Sequence, residues 1–235
     1  MDNKEFESKY NEWKALSGKE KKQAVKKLNE SFLESFSKLQ PKPQGKTNGG
    51  IKSSRSDAQY REKRLKLHDL QNNFNTIGWI INISPALLAG IGSRESNLGA
   101  SLNDGWGDFS RRKGEAKPSF HGFGILQIDV NTGDVPKEIL EELQKHRGKN
   151  SLDPSSIKWI RWGGEVLVRK LQQVREKYPN ASPEEQLATA ISRYNGGRGR
   201  RYPNSDKGTT GGDYASDTLV RAKYYAEHWS QYERH

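Results

Sequence analysis

The segment SPALLAGIGSRES, residues 84–96, decides how this sequence folds. Ser84 followed by Pro85 is a strong helix start, because serine caps the first turn and proline fits the first helical position. On that helix Leu87, Ile91 and Glu95 are spaced by four residues and share one face. The pattern predicts an apolar helix that carries a carboxyl group near its end.

Glu95 is the first candidate for chemistry. A carboxyl at the end of an apolar stripe is partly desolvated, which disfavours its charged form and raises its pKa. A carboxylic acid that keeps its proton near neutral pH can protonate a leaving oxygen, as a glycosidase requires. The alternative interpretation is an ordinary exposed glutamate at a helix end, neutralised by Arg94.

Two motifs in a glycine-rich stretch follow. In Gly105-Trp106-Gly107-Asp108 the flanking glycines suit a tight turn with an exposed ring, and Asp108 follows in a loop. In GFGILQID, residues 122–129, an extended Ile125–Asp129 would direct Gln127 and Asp129 to one face. Each motif alone also has a purely structural explanation. The first fits an aspartate in a glycine-rich turn, and the second fits a short surface strand whose polar residues face water.

A last motif, SRYNGG, occupies residues 192–197. Leu187, Ile191 and Tyr194 share a helical face, so Tyr194 is expected to be half-buried, and Gly196 is a natural helix stop. Taken alone, this motif fits a capped helix end as well as a functional site.

The order of these motifs is more informative than any one of them. A Glu-Ser pair that ends an apolar helix, then Gly-x-Gly-Ile-Leu-Gln, then Tyr-Asn-Gly-Gly, resembles the pattern of lysozyme-like muramidases and lytic transglycosylases. The resemblance to goose-type lysozymes is closer and covers about residues 49–235. It is carried by GIGSRES (90–96), DGWGD (104–108), GTTGGDYASD (208–217) and RAKYY (221–225).

The resemblance implies a mainly α, lysozyme-like α+β fold: a helical domain with a small β-sheet lining the substrate cleft. It implies an antibacterial muramidase that hydrolyses the β-1,4 bond between N-acetylmuramic acid and N-acetylglucosamine of peptidoglycan, with inversion and without a cofactor. Glu95 would be the general acid, and Asp108 or Asp129 would position water. The substrate-binding residues would be Gln127, Tyr194, Asn195, Trp106 and Tyr214.

Three alternatives stay open. A lytic transglycosylase uses one glutamate and gives 1,6-anhydro products, and the presence of Asp108 and Asp129 argues against it. A chitin hydrolase would differ in its substrate. A non-catalytic, wall-binding basic protein would keep its lytic effect without Glu95.

The rest of the chain is predicted to be helical, with a hairpin between residues 103 and 134. Helix starts are expected at Asp153-Pro154, at the capping box Ser182–Glu185 and at Asp213. Residues 1–40 are expected to form two amphipathic helices, the second opened by Ser17 and Glu20, and 41–56 a linker. We divide the chain into an extension with linker, 1–48, and a catalytic domain, 49–235. The basic insertion 109–121 departs from the family pattern.

Composition narrows the function classes. The 235 residues have a net charge of +11 and no cysteine, so the surface favours a polyanionic partner and disulfides are excluded. The five histidines lack metal-ligand spacing, so we expect no metal. We expect a soluble monomer that acts on extracellular bacterial walls and neither binds nucleic acid nor inserts into membranes. The first ten residues do not resemble a signal peptide, so cytoplasmic storage or release without a signal is compatible.

Overall fold

The described part of the chain is mainly helical, with one short β-hairpin between α5 and α6. The computed structural model describes residues 1–39, 50–67, 69–107, 120–196 and 206–232. In these ranges the helices are α1 Asn3–Ala15, α2 Gly18–Leu39, α3 Gly50–Arg61, α4 Leu70–Ile81, α5 Pro85–Ser96, α6 Lys137–Lys145, α7 Ile157–Lys177, α8 Pro183–Tyr194 and α9 Tyr214–His228. Strands β1, Gly122–Phe123, and β2, Ile128–Asp129, pair antiparallel, with Gly122 opposite Asp129. The mainly α fold with a small sheet is therefore confirmed.

Helix α5 lies at the centre and begins where the sequence predicts. The Ser84 side chain accepts a hydrogen bond from the amide of Leu87, and Pro85 occupies the first turn. Every residue of α5 from Pro85 to Ser93 is buried. Its neighbours include α4 and α9, and Gly90 permits the close approach of α9. A Cβ at Gly90 would lie 2.8 Å from the Cβ of Ala222 and 2.9 Å from the carbonyl oxygen of Thr218.

The other predicted helix starts have mixed outcomes. The capping box at Ser182 and Glu185 is present and opens α8. Helix α7 begins at Ile157, three residues later than predicted, because the Asp153 carboxylate binds the amide and hydroxyl of Ser155 in a local turn.

Helix α9 follows Asp213 as predicted, but Asp213 makes no side-chain cap. The amides of Ala215 and Ser216 donate instead to the buried carboxylate of Asp206. The cap therefore comes from a residue outside the helix and its immediate flank, which a local pattern does not reveal.

The two N-terminal helices are present and pack onto the central core. The residues Phe6, Trp13, Val25, Phe32 and Leu39 belong to the same buried cluster as the side chains of α5 and α9. Asn29 of α2 also reaches the start of α5, where its Oδ1 accepts from the Ser84 hydroxyl at 2.7 Å and from the Ala86 amide at 3.3 Å. The boundary between residues 48 and 49 stays a prediction.

The predicted linker 41–56 is wrong for its second half, since residues 50–56 belong to α3. This helix packs along α9, with Ala58 fully buried and Arg55 paired with Glu227 at 2.9 Å. Tertiary packing thus overrides the loop-like composition of this segment. Residues 40–49 lie outside the described part.

A second buried cluster holds the hairpin region against α6 and α7. Trp106, Phe123 and Trp159 stack in edge-to-face pairs with ring centroids 5.0 and 5.1 Å apart.

The helices in the described ranges are all too short or too polar to cross a lipid bilayer.

Candidate active site

A cleft of about 710 Å³ lies between the end of α5, the hairpin, helices α7 and α8, and the segment before α9. It brings together residues that are far apart in sequence. Those predicted as site residues that line it are Glu95, Gln127, Asp129, Tyr194, Asn195 and Tyr214. Asp108, also predicted, lies outside the described residues.

Glu95 is half-buried in the last turn of α5. Its Oε1 accepts a hydrogen bond from the hydroxyl of Tyr214. The next residue, Ser96, is buried and donates to the carbonyl of Ile125 at 2.8 Å, which ties the helix end to the hairpin turn. Contacts with Tyr214 of α9 and with the hairpin turn therefore fix the position of Glu95 in the cleft wall.

Arg94, which precedes Glu95 on α5, contacts the segment around the start of α9. Its guanidinium donates to Asp217 at 2.9 Å, to Asp213 at 3.2 Å and to the carbonyl of Thr210 at 3.0 Å. These contacts engage the segment that leads into α9.

Two tyrosines flank the glutamate. Burial raises the pKa of Tyr194 and of Tyr214 well above the usual value, and the nearby charge of Glu95 adds to both shifts. Tyr194 donates to the carbonyl of Leu126 at 2.7 Å, as Tyr214 donates to Glu95. Both phenols therefore stay neutral near pH 7, and each donates a hydrogen bond to its partner.

The predicted extended strand Ile125–Asp129 is wrong, but Gln127 and Asp129 still lie in the same cleft. Residues 125–127 form a turn, not an extended strand, and Ile125 is buried in the core. Gln127 has φ +50°, and its Nε2 donates to the carbonyl of Gly124 at 2.7 Å. The turn still brings Gln127 and Asp129 to the same cleft, and the exposed Asp129 carboxylate accepts from the amide of Asn131 at 2.8 Å.

The glycines of these motifs make room for Gln127. A Cβ at Gly107 would lie 1.9 Å from the Oε1 of Gln127, and one at Gly122 would lie 2.4 Å from it. The side chain of Gln127 therefore lies directly on the backbone of both segments. The motif glycines are explained by this close approach and by the turns themselves.

The predicted exposure of Trp106 is wrong. Its ring has no exposed surface and packs against Phe120 and Phe123. Since a buried ring cannot stack on a sugar, Trp106 supports the cleft from behind. The Gly-Trp-Gly pattern does not show which way the ring faces, because that depends on residues distant in sequence.

Asn195 links the cleft to the segment before α9. It ends α8, and its Oδ1 accepts from the amide of Thr210 at 2.8 Å. Its oxygen thus has a structural role, while the residue also lines the cleft.

Besides Arg94, three charged residues that line the cleft were not predicted as site residues. Asp134 and Lys170 line it as an ion pair at 2.6 Å, and Arg193 lines it without a carboxylate partner in the described ranges. Asp134 follows the hairpin in no recognisable motif, so only the tertiary structure reveals it. Within the same ranges, no cluster of three His, Asp or Glu side chains could hold a metal ion.

Comparisons of the sequence with known proteins match one family. The family model described as Lysozyme g matches residues 33–229. A lysozyme g from Epinephelus coioides is 33% identical over 178 residues, which cover 75% of this chain and 83% of the relative. A lysozyme g from Casuarius casuarius is 36% identical over 154 residues, covering 65% and 70%, and one from Dromaius novaehollandiae is 33% identical over 190 residues, covering 80% and 79%.

Proposed function

Since the chain belongs to the lysozyme g family of glycoside hydrolases, we propose that it is a muramidase acting on bacterial peptidoglycan. The bond cleaved would be the β-1,4 linkage between N-acetylmuramic acid and N-acetylglucosamine. The observation that carries this proposal is the half-buried Glu95, held by Tyr214 in the wall of a cleft about 710 Å³ in volume.

Glu95 would be the general acid. The Tyr214 hydroxyl donates to Oε1, so a protonated carboxyl would hold its proton on the other oxygen, Oε2. That proton passes to the glycosidic oxygen as the bond to the anomeric carbon breaks. Leaving-group protonation by a positioned carboxylic acid is a general requirement of glycoside hydrolysis.

Asp129 would position the attacking water. It lies in the same cleft, its carboxylate is exposed to solvent, and the Asn131 amide orients it. Attack by water on the face opposite the leaving group inverts the anomeric carbon, and the proton that the water loses would pass to the Asp129 carboxylate. Asp108 is proposed to share this role, and Gln127, Tyr194, Asn195 and Tyr214 to line the substrate path.

The surroundings of the cleft fit a glycan strand rich in hydroxyl and acetamido groups. Its lining contains carboxylates, amides and hydroxyls with few apolar side chains. The net charge of +11 would draw the protein to anionic walls, consistent with a bacteriolytic role. No cofactor is needed for the proposed chemistry.

Mass spectrometry of fragments released from purified peptidoglycan tests this proposal with wild-type protein and Glu95→Gln. The expected result is hydrated, reducing muramic ends from the wild type and none from the variant, which is isosteric but cannot donate the proton. Anhydro ends would instead assign a lytic transglycosylase. No fragments from either protein would leave a wall-binding protein on a lysozyme fold.

A further inference from the structure

Arg94 precedes the proposed acid directly, yet its side chain serves a different element. It is anchored at three points on residues 210–217, through one backbone carbonyl and two carboxylates. Both carboxylates, of Asp213 and Asp217, are almost fully buried, with exposures of 2% and 5%. Asp217 is also paired with Arg221 at 2.9 Å, whereas Arg94 is the one cation that pairs with Asp213 in the described ranges. Arg94 therefore fixes the position of Asp213 above all, since an uncompensated buried charge is costly.

The segment held in this way carries Tyr214. The Tyr214 ring is buried and lies 5.7 Å from the Arg94 guanidinium, and its hydroxyl reaches Glu95. We call the three contacts of Arg94 with residues 210–217 the Arg94 clamp. Because Arg94 and Glu95 are consecutive on α5, the clamp joins α5 to the segment whose Tyr214 donates a hydrogen bond to Glu95. The contacts form a closed loop of Arg94, Asp213, Tyr214 and Glu95.

A glycine confirms how close this packing is. Gly211 has φ +77°, and a Cβ there would lie 2.7 Å from Asp213 Oδ1 and 3.2 Å from Arg94 Nη2. The clamp therefore depends on the lack of a side chain at Gly211. The neighbouring Gly208 also has positive φ, +88°, but a Cβ there would meet nothing within 4 Å.

We propose that Arg94 is a positioning residue for catalysis, which acts by holding the Tyr214 hydroxyl in place on Glu95. The proposal rests on Glu95 being the general acid. Arg94 also lines the cleft, so a direct contact with substrate is the competing role. The two roles differ in kinetics: loss of a positioning residue lowers kcat, whereas loss of a ground-state substrate contact raises KM.

The test is a double-mutant cycle on soluble peptidoglycan fragments with wild type, Arg94→Gln, Tyr214→Phe and the double variant. We expect each single variant to lower kcat about tenfold, with KM changed less than about threefold, since small misplacements of catalytic groups are costly. Because Arg94 acts through Tyr214, the double variant is expected to fall about tenfold as well, not about a hundredfold. Arg64→Gln is the matched control, because Arg64 donates to the Leu98 carbonyl beyond α5 without touching the 210–217 segment. It is expected to keep wild-type kcat.

A second pair of variants decides the question if Arg94→Gln fails to fold. Gly211→Ala pushes Arg94 and Asp213 apart without changing charge, while Gly208→Ala imposes similar backbone strain with no contact. Loss of kcat in Gly211→Ala alone, with no further loss when Tyr214→Phe is added, supports the proposal. Additive losses, a change confined to KM, or equal losses in both glycine variants would overturn it while leaving the muramidase intact. Absence of cleavage by the wild type would overturn the proposed function itself.

Discussion

Gly90→Ala tests whether the crossing of α5 and α9 sets the geometry of the cleft. The added Cβ would meet the Ala222 Cβ at 2.8 Å, the Ala222 amide nitrogen at 2.9 Å and the Thr218 carbonyl oxygen at 2.9 Å. Ordinary contact begins at 3.4 Å, so the helices must separate by about 0.6 Å. Two of the three opposing atoms belong to the backbone and cannot rotate away.

The cost follows from these contacts. Overpacking a core costs about 1–3 kcal/mol, and rigid backbone contacts favour the upper end of that range. Replacing a helical glycine by alanine returns about 1 kcal/mol. The net loss is about 2 kcal/mol of unfolding free energy, which lowers Tm by about 4–8 °C for a chain of this length.

Thermal unfolding followed by circular dichroism measures this change. Gly18→Ala is the control, because a Cβ at the start of α2 meets nothing within 4 Å, and its Tm should equal or exceed that of the wild type. The same displacement moves Glu95 away from Tyr214, so kcat at 25 °C should fall about tenfold although the variant is folded. A Gly90→Ala variant that melts within about 1 °C of the wild type would refute the packing argument.

Three further predictions concern stability and charge. Asp206→Ala removes the cap that receives the amide of Ser216, so Tm should fall by about 4–8 °C, from a loss of about 2 kcal/mol, while the exposed neighbour substitution Lys207→Ala should leave it unchanged. Burial, followed by the hydrogen bond to Glu62, raises the pKa of Tyr224 to about 12. An unfolded tyrosine ionises at about pH 10, so the neutral Tyr224 contributes free energy of unfolding that is fully present below about pH 10 and is lost as the pH rises through about 12. The denaturant midpoint should therefore fall less steeply across that pH range in Tyr224→Phe than in the wild type. Identical slopes would contradict this prediction. Because the net charge is +11, the rate of wall lysis should fall between about 0.02 and about 0.2 M salt, and an unchanged rate would exclude charge attraction to the wall.

Helix α5 could be predicted from the sequence because its determinants are local. Ser84 and Pro85 specify the start of the helix, and the spacing of the apolar residues specifies its buried face. The position of Glu95 at the end of that face follows from the same spacing. The capping box of α8 is local in the same sense. Such features need only a few consecutive residues to be recognised.

Features that depend on distant contacts could not be predicted. The ring of Trp106 is buried because Phe120 and Phe123 cover it, and Asp213 turns to Arg94, more than a hundred residues earlier, instead of capping its own helix. The turn at Gln127 likewise depends on glycines from two segments. In each case the deciding partner is remote in sequence, where periodicity and capping rules carry no information.

The contact between Asn29 and Ser84 has a consequence for protein engineering. A minimal fragment cut before residue 49 would lack the oxygen that accepts from the Ser84 hydroxyl and the Ala86 amide, and would uncover apolar surface under Phe32 and Leu39. Chimeras that graft a new wall-targeting module in place of α1 and α2 would therefore have a weakened start of helix α5. Fusion partners are better joined outside these helices, so that both remain in the product.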